Sequence, residues 1–131
     1  KIMKKIILIA VAALSLLAFS SCKKGVNVSD YPKLIIGSWE LVQRDYSAGE
    51  KWDKMPIEVP ETHVFKEDGT FQIIAEGEGT WEYKYKVEGA LMVLINEEDS
   101  MVYNIETLNS SELILTASKE GEAIKETFKK K

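Results

Sequence analysis

The chain is poor in the residue types that hold small disulfide-rich or metal-dependent domains together. It has one cysteine, Cys22, and one histidine, His63, among 131 residues. A single cysteine cannot form an internal disulfide, and a single histidine without a second cysteine falls short of the ligands of a usual zinc site. The sequence therefore excludes a disulfide scaffold and a structural zinc domain, and it predicts no metal and no cofactor.

Positive charge is also scarce once residues 1–21 are set aside. The whole chain carries 17 basic and 21 acidic side chains, and three lysines but no acidic residue lie in that first segment. The rest of the chain has 14 basic and 21 acidic side chains, a formal charge of −7. Because such a domain would repel phosphates, we expect no nucleic-acid partner.

Residues 1–21 have the composition of an export signal. Lys4 and Lys5 precede an apolar run at residues 6–19 that only Ser15 interrupts. This run is too short for a transmembrane helix, which needs about 20 apolar residues. The order of basic, apolar and small residues is typical of a cleavable signal peptide.

The end of this segment resembles the lipobox of bacterial lipoproteins. Residues 17–22 (LAFSSC) carry the resemblance, with Phe19 where the usual pattern has an aliphatic residue. The resemblance implies that residues 1–21 are a lipoprotein signal peptide, that Cys22 is lipidated and anchors the protein to the membrane, and that residues 22–33 include the tether. Two or more acyl chains hold a protein stably to a bilayer. Since residues 23–25 are neither a retention signal nor an acidic export signal, we expect an outer-membrane location facing the periplasm.

From Gly37 onwards the sequence predicts an all-β domain. Apolar and polar residues alternate, β-branched and aromatic residues are frequent, and turn residues recur at regular spacing. The eight predicted strands are Ser38–Tyr46, Thr62–Lys66, Thr70–Glu76, Thr80–Val87, Leu91–Ile95, Met101–Leu108, Glu112–Ala117 and Glu122–Lys129. Short connections favour antiparallel pairing of neighbours, and eight such strands can close into an up-and-down barrel. Pro32 suits the start of one helical turn at residues 31–36.

The connection at residues 47–61 departs from this regular pattern. It contains Trp52, Pro56 and Pro60, and it is too long for a simple hairpin. Because Trp52 is an aromatic residue in a polar loop, we expect it either to pack over the barrel mouth or to contact a partner.

Alternation along the strands assigns most aromatic residues to the barrel interior. The residues predicted to face inward are Trp39, Leu41, Gln43, His63, Phe65, Phe71, Ile73, Trp81, Tyr83, Tyr85, Met101, Tyr103, Ile105, Leu113, Leu115, Ile124 and Phe128. Two interpretations of this interior stay open. The side chains either fill a solid core, or they line a cavity for one small ligand, which eight strands can enclose.

Three segments of the domain are similar to small lipocalin-like lipoproteins of Bacteroidetes. They are LIIGSWEL at residues 34–41, which contains a Gly-x-Trp motif at Gly37 and Trp39, FKEDGTF at residues 65–71, and GTWEY at residues 79–83. The resemblance implies a lipocalin-like β-barrel over residues 34–131, with Trp39 across its closed end and the 47–61 segment as a lid near the mouth. Lipocalins also place a late arginine on the motif tryptophan.

Arg44, the sole arginine, lies too early in the sequence for that role. Lys125 and Lys129 are the candidate replacements, although lysine lacks the planar group that stacks on a ring.

The sequence offers little catalytic chemistry. Histidine is the residue type that ordinarily changes charge near neutral pH, yet no nucleophile order, metal spacing or phosphate loop accompanies His63. We therefore expect that the protein is not an enzyme.

The function that we expect is binding of a small apolar or amphipathic molecule in a shallow barrel. The ligand cavity would be lined by Trp81, Tyr83, Tyr85, Phe71, Tyr103 and His63, with Trp52 above it. The alternative is a solid-core module whose outer surface or 47–61 segment docks onto another protein of the bacterial envelope.

Overall fold

The structure is a computed structural model that describes residues 27–96 and 100–131. The predicted signal peptide, Cys22 and the start of the tether lie outside the described residues, as do the acidic residues 97–99. Within the described part of the chain, no helix has the length and apolar character that crossing a membrane requires.

A short helical segment precedes the barrel. A 3-10 turn at Val28–Asp30 leads into helix α1, Tyr31–Leu34, which has Pro32 in its first turn. Proline suits this position because its fixed φ matches the helix and its missing N–H would have had no helical partner. The helical turn predicted at residues 31–36 is therefore confirmed.

Nine antiparallel strands follow, and eight of them form a closed barrel. Their bounds are β1 Gly37–Ser47, β2 Asp53–Met55, β3 Glu61–Phe65, β4 Thr70–Ala75, β5 Gly79–Glu88, β6 Leu91–Ile95, β7 Ser100–Leu108, β8 Glu112–Lys119 and β9 Glu122–Lys130. The sheet order runs from β1 through β3 to β9, and β9 pairs back with β1. All eight predicted strands are present, and the predicted eight-stranded up-and-down barrel is confirmed.

The additional strand β2 comes from the long 47–61 connection. Strand β3 pairs with Gly37–Glu40 of β1, whereas β2 pairs with Arg44–Tyr46 further along the same edge of β1. It satisfies backbone groups that β3 leaves unpaired. Residues 53–55 of the 47–61 segment therefore extend the barrel wall and are not part of a lid over the mouth.

The N-terminal end of β1 is the closed end of the barrel. Trp39 is completely buried, and its Nε1–H donates a 2.8 Å hydrogen bond to the carbonyl oxygen of Ile35. Tyr31 and Ile35 of the helical segment are also buried. The helix thus covers the tryptophan that closes the barrel, as the Gly-x-Trp motif predicted.

Lys130 takes the place that lipocalins give to a late arginine. Its ammonium group lies 4.7 Å from the centre of the Trp39 ring, because the two residues are direct partners in the β1–β9 ladder. Lys129 is opposite Glu40 instead, so neither predicted candidate occupies this position. Gly37 has a φ of +132°, and a Cβ at this residue would collide with the Lys130 side chain.

A bulge in β1 changes which side chains face the interior. Leu41 pairs with Phe128 of β9, but Gln43 pairs with the very next residue, Thr127, so Val42 is one residue extra. After such a bulge the alternation of faces is reversed. Gln43 points outward for this reason, and the prediction that it faces inward is wrong.

The reversed alternation turns polar side chains into the open half of the barrel. Arg44 lies opposite Glu126, and Tyr46 lies opposite Ile124, with both pairs on the inner face. The largest fully buried side chains are Trp39, Tyr31, Phe65, Phe71, Phe128, Ile35, Met92, Ile105, Leu113 and Leu115.

Candidate functional site

A partly enclosed cavity of about 220 Å³ lies inside the barrel, above the packed closed half. Seven of the eight barrel strands contribute to its wall, so the cavity is a space of the interior rather than a gap beneath a loop. The lining residues are Arg44, Glu61, His63, Phe71, Ile73, Met92, Tyr103, Leu115 and Glu126. The solid-core interpretation therefore fits the closed half of the barrel but not the open half.

A wider pocket of about 410 Å³ lies at the barrel mouth. Four strands line both spaces. Each contributes one inward residue to the cavity and, two residues nearer the mouth, a second inward residue to this pocket. The pairs are Arg44 and Tyr46, Tyr103 and Met101, Leu115 and Ala117, and Glu126 and Ile124. Since inward residues on a strand are two apart, the two spaces are stacked along the barrel axis.

Arg44 is held between two carboxylates inside the cavity. Its Nε and Nη2 groups donate hydrogen bonds of 2.9 and 2.6 Å to Oε2 of Glu126, and Nη2 also donates a 3.0 Å bond to Oε1 of Glu61. Burial acts to lower the pKa of Arg44, but the two carboxylates outweigh burial and raise it. The three side chains come from β1, β3 and β9, so the ion pairs connect β1 to both of its barrel neighbours.

His63 extends this network from Glu61. Its Nε2 lies 2.7 Å from Oε1 of Glu61. This hydrogen bond is the main cause that lowers the pKa of Glu61, with burial opposing it and the charge of Arg44 adding to it. An ionised carboxylate can only accept, so Nε2 of a neutral His63 carries the ring proton and Nδ1 has a free lone pair.

The Nδ1 atom of His63 is buried and has no hydrogen-bond partner among the described residues. The ring packs against Phe71 and Phe128, with centroid distances of 5.4 and 4.6 Å, and neither phenyl group can donate to it. Leaving a buried acceptor unsatisfied costs about 1–3 kcal/mol. His63 therefore carries an unmet hydrogen-bond acceptor inside the barrel.

Tyr103 completes the polar part of the cavity. Burial is the main cause that raises the pKa of its phenol, and the negative charge of Glu126 adds to the effect, so the hydroxyl stays neutral at physiological pH. It donates a 3.5 Å hydrogen bond to the sulfur of Met101, a weak acceptor. The hydroxyl oxygen of Tyr103 is thus available to a ligand near the mouth.

Three of the seven residues predicted to form the ligand cavity line it together. They are His63, Phe71 and Tyr103. The sequence did not identify Arg44, Glu61 and Glu126 as their neighbours. Glu126 lies between two inward apolar positions of the last strand, and Glu61 lies two residues before His63, so alternation is the signal that could have found both carboxylates.

The aromatic residues of β5 face inward as predicted but do not line the 220 Å³ cavity. Tyr83 lies opposite Phe71, and Tyr85 donates a 2.8 Å hydrogen bond to the carbonyl oxygen of Lys66. Trp81 is 45% exposed at the open end of the barrel. The aromatic residues of β5 therefore face the barrel interior but lie outside the cavity.

Trp52 does not lie above the cavity, and that prediction is wrong. Asp53 pairs with the inward-facing Tyr46, so the preceding Trp52 projects from the opposite, outer face of the sheet. There its ring lies 5.3 Å from the ammonium group of Lys125, which also points outward. The side chain is 44% exposed on the outer wall near the mouth.

The chemistry available in the cavity is that of hydrogen bonding and charge pairing. In the described part of the chain no three histidine, cysteine or acidic side chains are grouped so as to hold a metal ion. The sequence named no acid-base partner for His63, and the structure supplies Glu61 in that position. The cavity lining includes no serine, threonine or cysteine.

A closed eight-stranded antiparallel barrel with a helix over the Gly-x-Trp end defines a lipocalin-like fold. A solved structure with this fold is similar to the chain: the crystal structure of a lipocalin-like protein from Bacteroides uniformis, with a TM-score of 0.53 and 23% sequence identity. The similarity covers 74% of this chain and 98% of that protein. No protein-family model and no curated protein matches the sequence. The comparison shows the fold.

Proposed function

We propose that the protein binds a small amphipathic molecule in the open half of its barrel and does not catalyse a reaction. The observation that carries this proposal is the stacked pair of spaces, a polar cavity below a mouth pocket. The inward side chains of the pocket include Met101, Ala117 and Ile124, and its lining also includes Lys119, Glu120 and Glu122. A polar head in the cavity would meet hydrogen-bonding groups, while an apolar tail would lie against Met101, Ala117 and Ile124.

The volumes limit the size of the ligand. Sites for drug-sized molecules usually measure about 300–1,000 Å³. The inner cavity, at about 220 Å³, is smaller than that range. It therefore suits a head group of a few heavy atoms, with the rest of the ligand in the mouth. A wholly apolar ligand is disfavoured, because it would cover the ion pairs of the cavity without replacing their contact with water.

We propose further that the lipid-modified Cys22 holds this barrel at the outer membrane, facing the periplasm. The lipobox-like residues 17–22 support the anchor. Mass analysis of the N-terminal peptide would test it. A diacylglyceryl and acyl modification on Cys22, absent in a Cys22→Ser variant, is expected, and an unmodified thiol at this residue would refute the anchor.

A second candidate function is docking onto another envelope protein. The outer wall near β2 exposes two apolar side chains, Val42 and Trp52. Exposed apolar groups that lie together are typical of interaction surfaces. This function needs no cavity, so an experiment on ligand content separates it from the first.

Native mass spectrometry of the protein, purified gently from the bacterium that makes it, tests ligand binding. We expect a reproducible extra mass that disappears on denaturation. An Ile73→Phe variant, which fills the cavity, would lose this mass, whereas Ile74→Phe on the outer face would keep it. A bare polypeptide mass in the unmodified protein would contradict ligand binding and favour docking through the surface that contains Trp52.

A further inference from the structure

The charges in the cavity do not balance. Arg44 contributes one positive charge, whereas Glu61 and Glu126 contribute two negative charges. With a neutral His63 imidazole the cluster carries a net charge of −1, in a space where the surrounding side chains are largely buried. An uncompensated charge in such surroundings is costly and favours a ligand of the opposite sign.

The hydrogen-bond acceptors in the cavity outnumber their donors. The described bonds use only Oε1 of Glu61 and only Oε2 of Glu126, so each carboxylate keeps one oxygen without a described partner. Nδ1 of His63 also has no partner among the described residues, but it is buried against the Phe71 and Phe128 rings, so the two carboxylate oxygens are the acceptors open to a ligand. An ammonium group has three N–H donors and no acceptor, which matches this surplus.

From these two observations we infer that the cavity receives the ammonium head of an amphipathic amine and excludes carboxylates. The inference rests on the proposed function, because it names the chemical class of the ligand for that same site. The alkyl chain of the amine would extend into the mouth pocket beside Met101 and Ile124.

The presence of an arginine does not make this a carboxylate site. The Nε and Nη2 groups of Arg44 are already bonded to Glu61 and Glu126. Only Nη1 lacks a hydrogen bond to the described residues. A carboxylate at Nη1 would make the local charge more negative, from −1 to −2. It would also bring acceptors to a cavity that already has too many.

Calorimetric titration with three probes of equal chain length tests the inference. Octylammonium, octanol and octanoate are titrated into the purified protein at about pH 8, where an imidazole is ordinarily uncharged. We expect octylammonium to bind at least tenfold more tightly than octanoate, with octanol between them. This comparison uses the unmodified protein, so it does not depend on how any variant folds.

Variants then assign the selectivity to the cavity. Glu126→Gln makes the cluster neutral, so octylammonium binding falls about tenfold, the equivalent of 1.4 kcal/mol, and octanoate binding rises. The matched control is Glu40→Gln, on the exposed outer face of β1, which keeps the affinity order of the unmodified protein. Ile73→Phe abolishes binding of the amine.

The outcomes separate failure of the inference from failure of the proposed function. Octanoate binding as tightly as octylammonium would overturn the amine preference while leaving ligand binding intact. Octylammonium binding that persists in Ile73→Phe would place the amine on the acidic surface and also overturn the inference. If none of the three probes bound, the proposed function itself would be contradicted.

Discussion

Replacing Arg44 by methionine tests whether the interior ion pairs hold the barrel together. Methionine approximates the length of arginine but leaves Glu61 and Glu126 as carboxylates without a cation. The side chains of Arg44, Glu61 and Glu126 are 22%, 15% and 9% exposed, so the cluster is mostly removed from water. Removing one partner of a buried ion pair costs about 3–5 kcal/mol of folding stability.

Because Arg44 keeps some contact with water, we expect a loss at the lower end of that range, about 3 kcal/mol. Each 1 kcal/mol lowers the melting temperature of a domain of this size by about 4–8 °C, so Tm would fall by about 12–24 °C. Urea denaturation of both proteins near neutral pH, followed by circular dichroism, measures the change in the free energy of unfolding.

A double variant shows whether the loss comes from uncompensated charge. Adding Glu126→Gln to Arg44→Met removes one of the two stranded carboxylates, so about 1 kcal/mol or more is expected to return. Lys84→Met, an exposed residue on the outer face of β5, is the control and leaves stability within about 0.5 kcal/mol. A loss below about 1 kcal/mol for Arg44→Met, or no recovery in the double variant, would refute the argument.

Three further predictions concern the closed end of the barrel and the acid limb of stability. Lys130→Ala removes the ammonium group from the Trp39 ring and is expected to cost about 1 kcal/mol in urea denaturation, whereas Lys129→Ala costs little. Gly37→Ala forces a side chain into a positive φ and against Lys130, so thermal denaturation is expected to show a loss of about 1–3 kcal/mol. Because the pKa of Glu61 is lowered in the folded protein, its ionised carboxylate stabilises the fold fully above the ordinary value of 4.5. This contribution is lost as the pH falls further. In Glu61→Gln the free energy of unfolding is therefore expected to fall less steeply at acid pH.

The strand pattern was predictable because local signals and tertiary contacts agree. Gly69, Gly89 and Gly121 all have a positive φ in the turns where tight hairpins were expected. Alternating aromatic residues then identified the inner face of β5. Each of these features depends on a few neighbouring residues, which is why the sequence alone revealed the barrel.

The candidate site was harder to predict from the sequence than the strands, because it depends on the bulge in β1. Nothing in the local pattern distinguishes Val42 as the extra residue, so uninterrupted alternation assigned Gln43 to the interior and Arg44 to the exterior. Without a buried cation, an inward Glu61 or Glu126 has no partner and looks improbable as a core residue. The pairing of β1 with β9, which is distant in sequence, decides the assignments of Gln43, Arg44 and Glu126.

The tautomer of His63 tests the account of the cavity most directly, since the chain has a single histidine and its imidazole nitrogens give one unambiguous set of NMR signals. Long-range ¹H–¹⁵N spectra near pH 8 are predicted to show Nε2 protonated, as its bond to Glu61 requires, and Nδ1 unprotonated, with imidazole resonances that shift when octylammonium is added. A proton on Nδ1 in the free protein, or imidazole resonances that do not respond to the bound amine, would contradict the central claim that the ligand binds at the carboxylates beside His63.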